Sequence, residues 1–164
     1  MVHELTQALR GPEMEGFLRI LLAGGLGGLM GLQREIEGKP AGIRTYGLVA
    51  IGAATFTAAG MLAFGGGDPA SRVAAQIITG IGFLGAGTIL HMRDRVLGLT
   101  TAAGLWVSAA VGMAVGGGLY LIGIGTAVAV FLTLQFVRPE VLVKLGVASQ
   151  EDVIGKVPKE EEEK

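Results

Sequence analysis

The stretch VLGLTTAAGLWVSAAVGMAVGGGLYLIGIGTAVAVFLTLQFV, Val96 to Val137, contains no Asp, Glu, Lys or Arg. About 20 helical residues cross the hydrocarbon core of a bilayer, so this run is too long for one crossing. It has to fold back once. Gly116 to Gly118 is the natural break, because consecutive glycines resist continuation of a helix. Two spans follow from that reading, one from about Leu99 to Val115 and one from Leu119 to Val137.

Outward from this run, charge is again missing from Thr45 to Gly67 and from Val73 to Leu90. These give spans from Thr45 to Phe64 and from about Ala70 to Leu90. A further span runs from about Phe17 to Gln33. The fold class is therefore an all-α membrane protein, a polytopic bundle of about five Gly-rich transmembrane helices. Composition agrees. Of 164 residues, 51% are hydrophobic and 16% charged, with a mean hydropathy of +0.59. A soluble domain carries about a quarter charged residues. The chain divides into an N-terminal segment 1–16, a membrane domain 17–137 and a short charged tail 138–164 that ends in KEEEEK.

The positive-inside rule orients the bundle. Arg34, Lys39, Arg44, Arg93, Arg95 and the tail fall on one side, against Arg10 and Arg72 on the other. The N-terminus is expected outside and the C-terminus in the cytoplasm. GLMGLQRE offers no small-x-small cleavage site, so the first span is expected to stay. Arg19 is expected to snorkel to the outer interface and pair with Glu15 four residues earlier.

Net charge is −1, which points away from nucleic acid. Without cysteine there is no disulfide, thiolate metal site or cysteine nucleophile. Zinc, Walker and Ser-His-acid patterns are missing as well, so no enzyme is expected.

The 29 glycines exceed what loops absorb. Gly24 and Gly28, Gly27 and Gly31, and Gly112 and Gly116 are four apart, which lets helix backbones approach in lipid. A tight bundle follows, and self-association as a homo-oligomer, with a dimer as the simplest form. In ITGIGFLGAG, Gly80, Gly82, Gly85 and Gly87 either unwind the third helix at a binding site or serve close packing.

Polar residues mark two places. Asp68 is a candidate cap, with Pro69 at the first helical position. Arg72, Gln76 and Thr79 then share a helical face, which should meet protein or a cavity rather than lipid. The charged connectors form the other place. Arg34, Lys39, Arg44, Arg93 and Arg95 lie on one side with Glu35, Glu37 and Asp94. Thr100 or Thr101 is expected to cap the fourth helix after Gly98. Glu35 and Asp94 are candidate ligands for Mg²⁺, which takes few carboxylates and keeps its waters. The same charges also suit an ion-pair network that fastens helix ends.

LGGLMGLQREIEGKPAGIRTYGLVAIGAATFT, DPASRVAAQIITGIGFLGAGTIL and VLGLTTAAGLWVSAAVGMAVGGGLY together resemble the MgtC/SapB family of bacterial inner-membrane proteins. The resemblance covers about Phe17 to Val137. KPAGIRT, GIGFLGAG and GLTTAAGLW occur in order. It implies about five spans and an association with growth in low Mg²⁺, survival inside host cells and envelope stress. It also implies regulation of other membrane machines, including a P-type Mg²⁺ transporter and the F-type ATP synthase. The family's first span commonly ends in Gly-x-Glu-Arg. Here Gly31, Leu32, Gln33 and Arg34 stand there, so an amide replaces the carboxylate. The short tail after Val137 resembles the SapB-like form without a soluble C-terminal domain.

Two functions compete. A regulator would dock a transporter or ATPase through the charged cytoplasmic face. A small oligomeric transporter of Mg²⁺ or another cation would run its path along Gln76, Thr79 and Gly80–Gly87, with Asp68 and Arg72 at the mouth. Metal sensing at the Glu35 loop is a third, weaker option.

Overall fold

A computed structural model describes residues 11–65, 67–93 and 96–136. Five helices follow in order: α1 (Pro12–Ile36), α2 (Ile43–Leu62), α3 (Gly67–Ala86), α4 (Leu99–Gly116) and α5 (Tyr120–Phe136). A minimal antiparallel pair, β1 (Leu90–His91) with β2 (Val96–Leu97), links α3 to α4. Among the described residues this small hairpin is the one departure from an all-helical reading.

Each boundary has a local cause. Pro12 starts α1 where its missing N–H is not needed, and Glu13 and Glu15 suit the positive end of the helix dipole. Gly38 then takes φ 65°, and the N–H groups of Gly38 and Lys39 close onto Glu35 O and Arg34 O. That is a left-handed helix stop, which glycine adopts at no steric cost. Gly118, at φ 82°, turns the chain between α4 and α5 in the same way. The third helix begins at Gly67, one residue ahead of the expected cap, so Asp68 lies inside its first turn.

Three helices, α1, α2 and α4, are long and apolar enough to cross a membrane. The apolar α5 has 17 residues, and α3 is diluted by its polar face. Large apolar side chains such as Phe17, Leu29, Phe56 and Leu121 point outward. An exterior this apolar suits lipid rather than water.

Small residues fill the inside. α2 packs against α1, α3 and α4, and α5 covers α4 and α1. Ala23, Met30, Tyr46, Ala50, Ala54, Val111 and Val115 form the centre. Glycine makes the crossings possible. A Cβ on Gly31 would stand 2.5 Å from Gly42 O, and one on Gly27 2.7 Å from Tyr46 O. One on Gly116 would stand 2.7 Å from Ala54 O, and one on Gly112 would overlap the Ala50 carbonyl. Backbones this close gain dispersion contacts that lipid tails cannot supply.

Candidate functional site

The end of the bundle that carries the α1–α2 turn is built around Arg34. Its position in the last turn of α1 aims the side chain inward, between α2 and α4. There it is only 5% exposed, and Nη2 donates to Thr101 Oγ1 at 2.8 Å. Thr101 is 2% exposed and Tyr46 fully buried. Arg34 Nε and the Tyr46 hydroxyl are both buried without a hydrogen-bond partner among the described residues. A Cβ on Gly104 would overlap the Tyr46 phenol, so this glycine makes room for the ring. Below the ring, Ser108 Oγ donates to Tyr46 O at 2.8 Å.

This arrangement corrects two expectations. Arg34 and Thr101 are not surface groups, because the helix ends converge there and enclose them. Nor does Thr101 cap α4. Gly98 occupies the cap position at φ 90°, with no side-chain cap bond, and the Thr101 hydroxyl is taken by Arg34. Thr100 is exposed.

Glu35 faces the other way, and its Oε2 accepts a hydrogen bond from the Ile43 N–H at 2.8 Å. The carboxylate thus caps α2 from the preceding helix, and a Cβ on Gly42 would collide with it. Asp94 and Arg95 lie outside the described residues. Among the described residues no group of three His, Cys, Asp or Glu could hold a metal. Of the expected Glu35 and Asp94 pair, only Glu35 is described, and its carboxylate is engaged by the Ile43 N–H. That bond fits a helix-end fastening.

Lys39, Arg44 and Arg93 are exposed around this end. Gln33, buried beside them, donates from Nε2 to Gln135 Oε1 on α5 at 3.0 Å. A carboxylate could not make that donation, so the amide of Gln33 supplies a tie between α1 and α5.

At the opposite end, Arg19 does more than snorkel. It pairs with Glu15, donates from Nη1 to Gly116 O at 3.1 Å and donates from Nε to the Tyr120 hydroxyl at 3.0 Å. Its guanidinium also lies 5.7 Å from the Tyr120 ring centre. One side chain thus fastens the α4–α5 turn to α1.

The polar stripe of α3 does not enter the bundle. Asp68, Arg72, Gln76 and Thr79 are exposed, while Ile77, Ile81 and Gly85 on the opposite face pack inward. The helix is continuous through Gly80, Gly82 and Gly85, and Gly87 follows in a turn. A Cβ on Gly80 or Gly82 would meet nothing within 4 Å, and one on Gly85 would make ordinary contact with Ala102. Of the first glycine stripe, Gly24 and Gly31 are tight, whereas Gly28 has ordinary room.

A tight Gly/Ala helical bundle with a buried arginine at the converging helix ends defines a class of small helical membrane protein. The MgtC family model matches residues 20–141, and the chain belongs to that family. It is 43% identical over 129 residues to "Putative magnesium transporter YhiD" of Escherichia coli strain K12, covering 74% of this chain and 60% of that protein. It is 42% identical over 130 residues to "Protein SrpB" of Synechococcus elongatus, covering 71% of each. It is 55% identical over 94 residues to "Protein MgtC" of Brucella abortus, covering 57% of this chain and 39% of that protein. The matched region thus spans 60% of the Escherichia relative and a smaller part of the Brucella one. No solved structure matches the chain at a significant level.

Proposed function

We propose that this protein supports Mg²⁺ homeostasis and stress adaptation in a bacterial inner membrane by regulating another membrane machine, such as a transporter or ATPase. One observation carries the reading. The bundle axis is filled by Ala23, Met30, Tyr46, Ala50 and Val111, and the polar residues proposed for a path stand on the outside of α3. A packed core held by Gly-mediated backbone crossings offers a rigid platform. Lys39, Arg44 and Arg93 on the exposed end supply charge for a partner. In this reading that end is cytoplasmic and the N-terminus lies outside, as the basic residues indicate.

The magnesium link comes from the family and from the name of the Escherichia relative. That name also motivates the second reading, a small oligomeric Mg²⁺ transporter with Arg72 and Gln76 on its path. Growth of a deletion strain in low Mg²⁺ separates surface docking from transport. Restoration by the wild type, but not by Lys39→Glu with Arg44→Glu at equal membrane abundance, supports the regulator. Full restoration by that double variant counts against it.

A further inference from the structure

The exposed face of α3 is unlike the rest of the outer surface. Elsewhere that surface is mainly aliphatic and aromatic. Here Asp68, Arg72, Gln76 and Thr79 recur at helical spacing. Phe83 continues the same face and is 81% exposed. The Thr79 hydroxyl is satisfied by Ala75 O of its own helix at 3.1 Å. Arg72 and Gln76 have no hydrogen bond or ion pair among the described residues.

Depth makes this matter. Gln76 lies nine residues into α3 from Gly67. At 1.5 Å per residue that is about 14 Å along the helix, near the middle of a ~30 Å hydrocarbon core. An amide held there without a partner costs several kcal/mol relative to a paired one. Something must meet it.

We propose that two copies of this chain pair in the membrane through this face of α3. The partner's chemistry is fixed by self-complementarity. Two copies inserted with the same topology bring α3 against the partner's α3 in parallel, about a two-fold axis along the membrane normal. Gln76 then faces the partner's Gln76. An amide carries both donors and an acceptor, so the pair can satisfy itself. Asp68 and Arg72 are one turn apart and opposite in charge. Across a two-fold axis each Asp68 reaches the partner's Arg72, and the pairing occurs twice. Ala75 lies on the same face and Gly80 beside it, and neither obstructs close approach. A groove of about 680 Å³ between α2 and α3 is lined by Arg72 and Gln76 themselves together with Leu48, Phe56 and Leu84, and it offers room for the partner's Phe83. A phospholipid would satisfy Arg72 through its phosphate, but its acyl chains offer nothing to Gln76 at mid-depth. Such a dimer suits a regulator and a transporter alike.

The chain has no cysteine, so single cysteines report cleanly. Oxidation in native membranes should cross-link Thr79→Cys to a dimer and leave Leu121→Cys, 87% exposed on α5, monomeric. Adding Gln76→Leu to the Thr79→Cys variant should reduce dimer formation about fivefold, the scale of an interhelical hydrogen bond in membranes. Arg72→Asp alone should weaken the dimer, and Asp68→Arg with Arg72→Asp should restore it. Gel filtration and helical content of each variant in detergent separate misfolding from loss of pairing. A Thr79→Cys protein that stays monomeric, or equal cross-linking at Leu121→Cys, overturns the proposal. So does a Gln76→Leu variant that cross-links normally, or an Arg72→Asp variant that cross-links normally while losing bound anionic phospholipid, which would give the face to lipid.

Discussion

Replacing Thr101 with valine tests the buried arginine most sharply. Valine keeps the shape and β-branching of threonine, so the packing of α4 against α1 is preserved. What it removes is the acceptor of the 2.8 Å bond from Arg34 Nη2. Arg34 has no other hydrogen bond from its side chain, and its Nε is already unpartnered. The variant leaves the buried guanidinium to the Tyr46 hydroxyl, which lies near it without a well-formed hydrogen bond. A hydrogen bond to a charged group is worth about 1.5–3 kcal/mol, and stranding a buried charged donor falls at the upper end. Interhelical bonds in membranes average nearer ~0.6 kcal/mol, but those are mainly between neutral groups. The expected loss is therefore about 2 kcal/mol, read as a shift in reversible unfolding in mixed detergent micelles. Thr100→Val, one residue away and exposed, should stay within about 0.5 kcal/mol. In an Arg34→Met background the Thr101→Val penalty should fall to about 0.5 kcal/mol or less, because no charge remains to be stranded. An equal penalty in both backgrounds would refute the reasoning.

Other outcomes follow from the same geometry. Gly112→Ala should destabilise by about 1–3 kcal/mol, because its methyl meets the Ala50 carbonyl, whereas Gly25→Ala, in open space, should be tolerated; thermal unfolding of the two compares them directly. Glu35→Ala should lose about 1 kcal/mol of α2 capping in a denaturation series, while Glu35→Gln keeps an acceptor oxygen and most of the stability. Millimolar Mg²⁺ should leave proteolysis of the Gly38–Gly42 turn unchanged, since Glu35 is engaged by the Ile43 N–H; strong protection would support a metal site there. Arg19→Leu should lower the melting temperature by a few degrees and speed hydrogen exchange at the α4–α5 turn, because the Gly116 carbonyl loses its donor.

The helices were legible because lipid demands long uncharged runs, and charge marks where they end. Five helices stand where five spans were expected, with ends within about five residues of their expected limits, three of them long and apolar enough to cross a membrane, and the Gly116–Gly118 break is where the chain turns. Side-chain direction was less legible. Arg34 reads as one more basic residue in a charged connector, and only the convergence of α1, α2 and α4 turns it inward. Tyr46 carries no motif, yet Gly104 and Ser108 on α4 are both arranged around it. A glycine facing a tyrosine across two helices leaves no periodic trace in one sequence. Charge clusters do not reveal which members face backbone amides, so the bond from the Ile43 N–H to Glu35 left no trace in the sequence, and Asp94 lies outside the described residues. The α3 stripe was visible as a face, but its outward direction depends on Ile77 and Ile81 packing inward.

The central claim is that the packed bundle carries no Mg²⁺ path. Mg²⁺ influx into proteoliposomes containing the purified full chain, with an imposed Mg²⁺ gradient, tests it most directly. Flux no greater than in empty vesicles is expected, for the wild type and for Gln76→Leu alike. Flux well above empty vesicles that Gln76→Leu abolishes would contradict it and make this protein a transporter with its path along α3.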